Sequence, residues 1–454
     1  MEIVNVVLVL ASLFFSLVAG YPAQRLSIRE ALQDPSVDPF YQPPAGFESK
    51  APGSILRQRS VNIELLDIVP FLVQTWQLLF RTTAVNGSAS VGVTTVFKPL
   101  FQKNDRFISL QGAYDSSSIS CNPSYQVQAG APQLGQESFN EGDLLEVALY
   151  LLRGYVVSLP DHEGIDAAFA AGHLEGMVTL DSMRAVIEFR GTLGIASETP
   201  MIFGDGYSGG SIATGWAASL HSSYAPELNV KGWAQGGTPA NLTGVMVYND
   251  GGPSAGFIPA AVDGLQKPSA YGAQLVPVFN EILTQNGKEV LEQVNGECAS
   301  GALSGFSYQS FLATSFQTEG SSILHNPRVR PILDHNLMGS NATERPIAPV
   351  LVYHARLDEI IPYANASTLV DSWCEQGAQV QFTTFAAGGH ATTVVLGIPT
   401  VAEFAEAAFA GTLPSGCSWT TVLDDIFDPL ALGADLEPLM IALENAAHSM
   451  NITL

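Results

Sequence analysis

The stretch Thr199-Pro200-Met201-Ile202-Phe203-Gly204-Asp205-Gly206-Tyr207-Ser208-Gly209-Gly210-Ser211 decides the fold: a short apolar run breaks into glycines around one serine. It reads as a strand, a sharp turn and the start of a helix, with Ser208 at the apex. Gly206-x-Ser208-x-Gly210 is the spacing of a nucleophile elbow, in which the serine takes a strained backbone conformation and the residues two positions away must be small. The same glycines spell Gly204-x-Gly206-x-x-Gly209, formally a dinucleotide-binding fingerprint. That motif wants an acidic residue at the end of the next strand. Here Glu227 precedes the predicted strand and Gln235 ends it, so the nucleophile reading is the stronger one.

Around this stretch, predicted strands and helices alternate. A β-hairpin is expected over Thr75–Thr83 and Ser90–Phe97 about Asn86-Gly87, and a strand over Phe107–Gln111 followed by the polar loop Gly112–Ser117. Asp143 is placed to cap a helix running through Leu144 to Leu152, and a buried strand follows at Tyr155–Leu159. Helices at Leu174–Glu188 and Gly210–Ser222 flank the opening stretch, and Val230–Gln235 is the next strand. From Asn241 to Arg345 the strand signal stops, leaving helical patterns at Phe257–Leu265, Ala273–Leu283 and Glu289–Val294. The sheet resumes at Pro349–His354, passes through a helix at Ala364–Gln376 and gains a strand at Gln379–Phe385. Alternation of this kind predicts an α/β fold with a mostly parallel sheet flanked by helices, interrupted by a helical cap lying over the carboxyl edge of the sheet. The expected division is a signal peptide over 1–20, a surface-wrapping extension or pro-segment over 21–59, core over 60–240, cap over 241–345, and core with a C-terminal segment over 346–454.

Composition narrows the function. A chain of 454 residues with 46% hydrophobic and 14% charged residues is that of a globular enzyme. Its 43 acidic against 19 basic residues give a net charge of −24, which argues against nucleic acid and against docking on anionic membranes. Val6–Val18 is apolar but short for a membrane span, and Val18-Ala19-Gly20 offers a cleavage site, so secretion is expected. Glu2, with no basic residue near it, departs from the usual signal pattern. Sequons at Asn86, Asn241, Asn341, Asn365 and Asn451 fit a secreted glycoprotein. The 4 cysteines, Cys121, Cys298, Cys374 and Cys417, predict two disulfides whose pairing the count leaves open. No C-x-x-C or H-E-x-x-H spacing supports a metal, and no cofactor is implied.

A nucleophilic serine needs a base, and the base needs a carboxylate to hold its tautomer. In elbow enzymes the order along the chain is Ser, acid, His. His325, His335, His354, His390 and His448 follow Ser208. His390 stands in the glycine-rich segment Ala386-Ala387-Gly388-Gly389-His390 just past a predicted strand. His354 at a strand end reads as structural, and His448 falls on a terminal helix. For the acid, Asp358 lies in the loop Leu357-Asp358-Glu359-Ile360-Ile361-Pro362, with Glu359 as its nearest rival; Asp334 and Asp371 read as ordinary surface residues.

Taken with Ala113-Tyr114-Asp115-Ser116, Cys121-Asn122-Pro123-Ser124-Tyr125 and Asp161-His162-Glu163-Gly164, these motifs make the chain similar to the fungal secretory lipases of the α/β-hydrolase superfamily. The resemblance covers nearly the whole mature chain. It implies a triad of Ser208, Asp358 and His390, an oxyanion hole from the Gly209 amide and Asp115, and disulfides pairing Cys121 with Cys298 and Cys374 with Cys417. It further implies an ester or lipid substrate met at a lipid–water interface, and it leaves oligomeric state open. The competing expectations are an esterase or deacetylase for a small secondary metabolite, a serine peptidase, and a catalytically silent binding protein on the same scaffold.

Overall fold

A computed structural model describes residues 32–63, 73–132 and 137–423, without the side chains of 137–142. The expected signal segment, His448 and Asn451 lie outside the described residues. Asp34–Leu454 make one unit and Met1–Gln33 another, of which only Leu32 and Gln33 are described.

Runs of β-branched and aromatic residues build the sheet from its antiparallel end. β1 (Ile55–Ser60) pairs with β2 (Val73–Thr83), and β2 pairs with β3 (Ala89–Pro99) from Val73↔Pro99 to Thr83↔Ala89. The hairpin turns at Asn86-Gly87, where Gly87 takes φ +84°, a conformation that costs glycine little. β4 (Arg106–Gln111), β5 (Val156–Pro160), β6 (Met201–Tyr207), β7 (Val230–Gly236), β8 (Val350–Ala355), β9 (Val380–Phe385) and β10 (Ser418–Val422) complete the order β1-β2-β3-β5-β4-β6-β7-β8-β9-β10. From β5 onward every pairing is parallel. β5 and β8 are buried at every residue, as expected for parallel strands covered on both faces.

The helices of eight or more residues supply those covers. α1 (Glu137–Leu152) follows β4 and α2 (Gly172–Glu188) follows β5. α3 (Gly209–Tyr224) follows β6. Trp216 on α3 and Met183 and Val186 on α2 join Leu78, Phe107 and Val352 in one apolar cluster. α2 and α3 cross closely: a Cβ at Gly176 would run into the Trp216–Ala217 backbone. The opposite face of the sheet buries Val147 and Leu151 of α1 with Phe404 and Ala405 of the C-terminal helix.

Between β7 and β8 the chain makes α4 (Leu242–Asn249), α5 (Phe257–Leu265), α6 (Gly272–Ile282), α7 (Gln285–Val294) and α8 (Ala299–Phe306). Among the described residues this insertion adds no strand to the sheet, only the isolated bridges Asn241↔Leu337 and Leu283↔Gln317. α9 (Tyr363–Glu375) and α10 (His390–Ala410) complete the helices of eight or more residues among the described residues. α10 is long and apolar enough to cross a membrane, but it is 56% buried and packs on β6, β7 and β8.

Four expectations change. A strand was not expected before Ser60, yet β1 forms the edge of the sheet, next to a segment in which Phe40 and Tyr41 are buried and Asp38 pairs with Arg59 at 2.6 Å. Asp143 lies inside α1 rather than at its cap, because the helix begins at Glu137. His390 is the first residue of α10, not a loop residue. β10 was not expected; it adds in parallel to β9.

Candidate active site

β6 ends at Tyr207, α3 begins at Gly209, and Ser208 between them has φ 52° and ψ −124°. A non-glycine residue in the left-handed region is held there only by its surroundings. Those surroundings are visible. The Ser208 N–H donates to the Gly236 carbonyl at 2.9 Å, and Ser211 Oγ donates to the Ser208 carbonyl at 2.6 Å. A Cβ at Gly206 would strike the Gly210 carbonyl, and one at Gly210 would strike the Gln111 carbonyl. The glycines that imitate a nucleotide loop thus serve close packing. Gly204 likewise has no room for a Cβ because the Trp233 ring fills that space.

Ser208 Oγ is 2.8 Å from His390 Nε2, and His390 Nδ1 is 2.7 Å from Asp358 Oδ2. Asp358 accepts the Ile360 and Ile361 amides on Oδ1 at 2.9 and 2.7 Å. Oδ2 also lies 3.2 Å from His354 Nε2. Burial pushes the Asp358 carboxyl up, but the hydrogen bonds and charges of His354 and His390 outweigh it and hold it well below the usual carboxylate range. A permanently ionised carboxylate therefore faces Nδ1, so Nδ1 carries its proton and Nε2 is free to accept one. The position of His390 is fixed from its backbone: its N–H donates to Glu359 Oε2 at 2.9 Å and its carbonyl accepts from Tyr207 Oη at 2.8 Å. Glu359 thus contacts the His390 backbone rather than its ring, where its charge neutralises the positive end of α10.

On the other side of Ser208, the loop after β4 brings the Asp115 carboxyl against the first turn of α3, where a Cβ on Gly209 would overlap Asp115 Oδ1. Asp115 has φ 43°, is 4% exposed, and leaves Oδ1 without a hydrogen-bond partner. Burial, with the charges of Glu175 and Asp143 beside it, pushes its pKa up to about 7 against the opposing charge of His162. The neutral acid, which can donate a hydrogen bond, is therefore well populated at neutral pH and dominant below it.

The sequence profile of the family described as secretory lipase matches residues 136–416. A secreted triacylglycerol lipase of Malassezia globosa is 38% identical over 426 residues, 93% of this chain and 92% of its own. One from Malassezia furfur is 39% identical over 415 residues, covering 90% and 87%. The crystal structure of Candida antarctica lipase A in its closed state superposes with a TM-score of 0.82 at 30% identity, covering 91% of this chain and 96% of that one. The chain belongs to the secretory lipase family. It is a secreted carboxylic ester hydrolase with the α/β-hydrolase fold. A rice cell wall degrading esterase from Xanthomonas oryzae, with a TM-score of 0.57 at 15% identity, shares the fold alone.

In this secretory lipase the disulfides Cys121–Cys298 and Cys374–Cys417 are both formed. The first joins the Asp115 loop region to the cap, and Ser116 Oγ adds a hydrogen bond to the Glu297 carbonyl at 2.8 Å. The sequons differ in exposure. Asn86 and Asn341 are exposed, whereas Asn365 is 7% exposed with its Oδ1 accepting the Asn241 N–H, and the Asn241 side chain in turn caps α4. Among the described residues no group of three or more His, Cys, Asp and Glu is arranged to hold a metal.

Sequence reasoning set His354 aside as structural; its Nε2 donates to the Ile361 carbonyl at 3.0 Å, which ties down the Asp358 loop, and lies 3.2 Å from Asp358 Oδ2. Its spacing of four residues from Asp358 was the available signal, but nothing in the chain showed that the intervening loop folds back.

Proposed function

We propose that this lipase hydrolyses triacylglycerols, with Ser208 as nucleophile, His390 as general base and acid, Asp358 as the carboxylate that orients His390, and the Gly209 amide with the protonated Asp115 as oxyanion donors. The observation that carries the reading is the continuous relay from Ser208 Oγ through His390 to Asp358 on a strained elbow. In the first half-reaction His390 Nε2 takes the Ser208 proton as Oγ bonds to the ester carbonyl carbon. The carbonyl electron pair moves onto oxygen, where two donors meet it. The C–O bond to glycerol then breaks, and the alcohol leaves with the proton from His390. Water repeats the sequence on the acyl-enzyme and releases the fatty acid. Each oxyanion donor is worth about 10²–10³ in kcat.

The triacylglycerol reading is supported by the secreted triacylglycerol lipases of Malassezia that the chain resembles over most of its length. The test compares the native enzyme and Ser208→Ala on tributyrin and on a triolein emulsion. The native enzyme is expected to hydrolyse both and the variant neither, with an unchanged melting temperature. Activity of the folded variant at the native level overturns the nucleophile. Turnover of tributyrin with none of triolein moves the substrate to short-chain esters.

A further inference from the structure

The loop that carries Asp115 to the elbow is clamped from behind by groups outside the Ser208–His390–Asp358 relay. His162 follows β5 and Glu175 sits in the first turn of α2; both are 0% exposed. His162 Nε2 lies 2.8 Å from the Gly112 carbonyl, and its Nδ1 lies 3.2 Å from Glu175 Oε2. A carbonyl oxygen only accepts, so Nε2 must carry a hydrogen, and an ionised Glu175 asks the same of Nδ1. Burial pulls the imidazolium pKa down, but the adjacent Glu175 carboxyl, the Gly112 carbonyl and the Asp115 charge more than offset this and hold it above the usual value. The next amide of the loop is held from the opposite direction: Ala113 N–H donates to Asp143 Oδ1 at 3.4 Å. Asp143 comes so close that a Cβ on Gly112 would overlap its Oδ2. The Tyr114 ring lies against the His162 ring, centroids 4.9 Å apart, and Tyr114 Oη accepts the Glu163 amide at 2.8 Å. The Gly112–Ala113 peptide is therefore gripped at both its C=O and its N–H, two residues before a side chain kept at a positive φ.

We propose that His162, backed by Glu175 and opposed by Asp143, is a positioning residue of the active site: it fixes the Gly112–Ala113 peptide and thereby holds Asp115 against Gly209. The inference rests on the reading of Asp115 as an oxyanion donor. The physical reason is strain. A non-glycine φ of 43° is strained and persists only where neighbours over-determine it. Removing the Nε2 donor leaves the Gly112 carbonyl without this partner and frees the peptide to rotate, so Asp115 relaxes away from the site while Ser208, His390 and Asp358 stay in place.

Four variants assayed with p-nitrophenyl butyrate decide it: His162→Leu, which removes the donor; His162→Gln, whose amide keeps a donor near the Nε2 position; Asp115→Ala; and the double variant His162→Leu with Asp115→Ala. His162→Leu is expected to lower kcat by about 10²-fold, the worth of one oxyanion donor, with KM changed by less than about threefold. His162→Gln is expected to recover kcat to within about fivefold of native, and the double variant to be no slower than Asp115→Ala alone, because the first residue acts through the second. Equal losses in Leu and Gln, full multiplication of the two single effects, or native kcat in folded His162→Leu each overturn the inference. Native kcat in Asp115→Ala instead removes the oxyanion reading on which it stands. Should His162→Leu fail to give a cooperative melt, Asp143→Leu against Asp143→Asn at the other end of the same peptide is judged by the same criteria.

Discussion

Asp115 is the residue on which the most chemistry turns, because its usefulness depends on its proton. In the proposed mechanism it donates to an oxyanion as an acid and would repel one as a carboxylate. With its pKa pushed up to about 7, the donor is present at acidic pH and lost as pH rises through that value. The groups that face it are His162, Glu175 and Asp143, with Glu163 close by. We expect kcat/KM on p-nitrophenyl butyrate to fall on the alkaline side near pH 7, and Asp115→Asn, a donor that does not ionise, to keep activity within about tenfold of native while losing that fall. A pH–rate profile from 5 to 9 checks it; an alkaline limb unchanged in Asp115→Asn rules the assignment out. Residues of this kind were half legible. Ser208, Asp358 and His390 stand out in the chain because chemistry demands those types in that order, each beside a strand end. The raised pKa of Asp115, the contact of His354 with Asp358 and the hold of His162 on Gly112 depend on burial and on contacts made only in the folded chain, such as that across the 50 residues between His162 and Gly112.

At the scale of elements, the Cys121–Cys298 bridge joins pieces that the sheet does not join. It spans 177 residues, from the region after the Asp115 loop to the N-terminus of α8 in the cap, so it constrains both the unfolded chain and the seat of the cap. Replacing both cysteines with serine is expected to destabilise the protein by about 2–5 kcal/mol. The loss would read as an earlier midpoint in urea with the Cys374–Cys417 bridge still intact. An unchanged midpoint would mean that packing of the cap, rather than the bridge, carries this connection. The cap was legible as helices because Phe257–Leu265 and its neighbours repeat apolar residues at helical spacing. The start of α1 was missed for a physical reason. Gly142-Asp143 looks like a helix start, but the chain is already helical from Glu137, and tertiary context overrides a single glycine and a capping residue type. β1 was missed because Ile55–Ser60 is polar and half-exposed along its length, as edge strands often are, and lacks the apolar alternation that announces a strand.

For the whole molecule, sheet order was the least legible feature. β5 lies between β3 and β4, a placement that no local pattern encodes, since it depends on where helices can cross over a twisted sheet. What the assembled sheet does to its acids leads to the last prediction. Asp115, Asp161 and Asp205 are each 4% exposed or less, and burial pushes each up to about 7 from an ordinary value of 3.8. Asp205 on β6 accepts the Tyr150 hydroxyl at 2.6 Å, and Asp161 accepts Ser124 through both its amide and its hydroxyl. A carboxyl whose folded pKa is raised keeps its proton when the unfolded chain would release it. Its contribution to stability is full below about pH 3.8 and is lost as pH rises through about 7. The slope is about 1.4 kcal/mol per pH unit for each such group within that window. Asp358 works in the opposite sense: its depressed pKa adds stability above 3.8 that disappears only in stronger acid. Burial also raises Asp143, Glu146, Glu163, Glu175 and Asp181, and these raised acids outweigh Asp358 and the more exposed lowered carboxyls Asp34, Asp105, Glu227, Glu281 and Glu344, which places maximum stability in mild acid, near pH 4 to 5. Thermal melts at one scan rate should therefore show the midpoint falling by about 5 °C or more between pH 4.5 and pH 7.5. Replacing Asp205 with Asn, which keeps an acceptor for Tyr150 but cannot ionise, should lessen that fall by removing about 1.4 kcal/mol of stability loss per pH unit within the window. A midpoint that rises over the same interval would mean that these buried acids are already ionised in the folded protein.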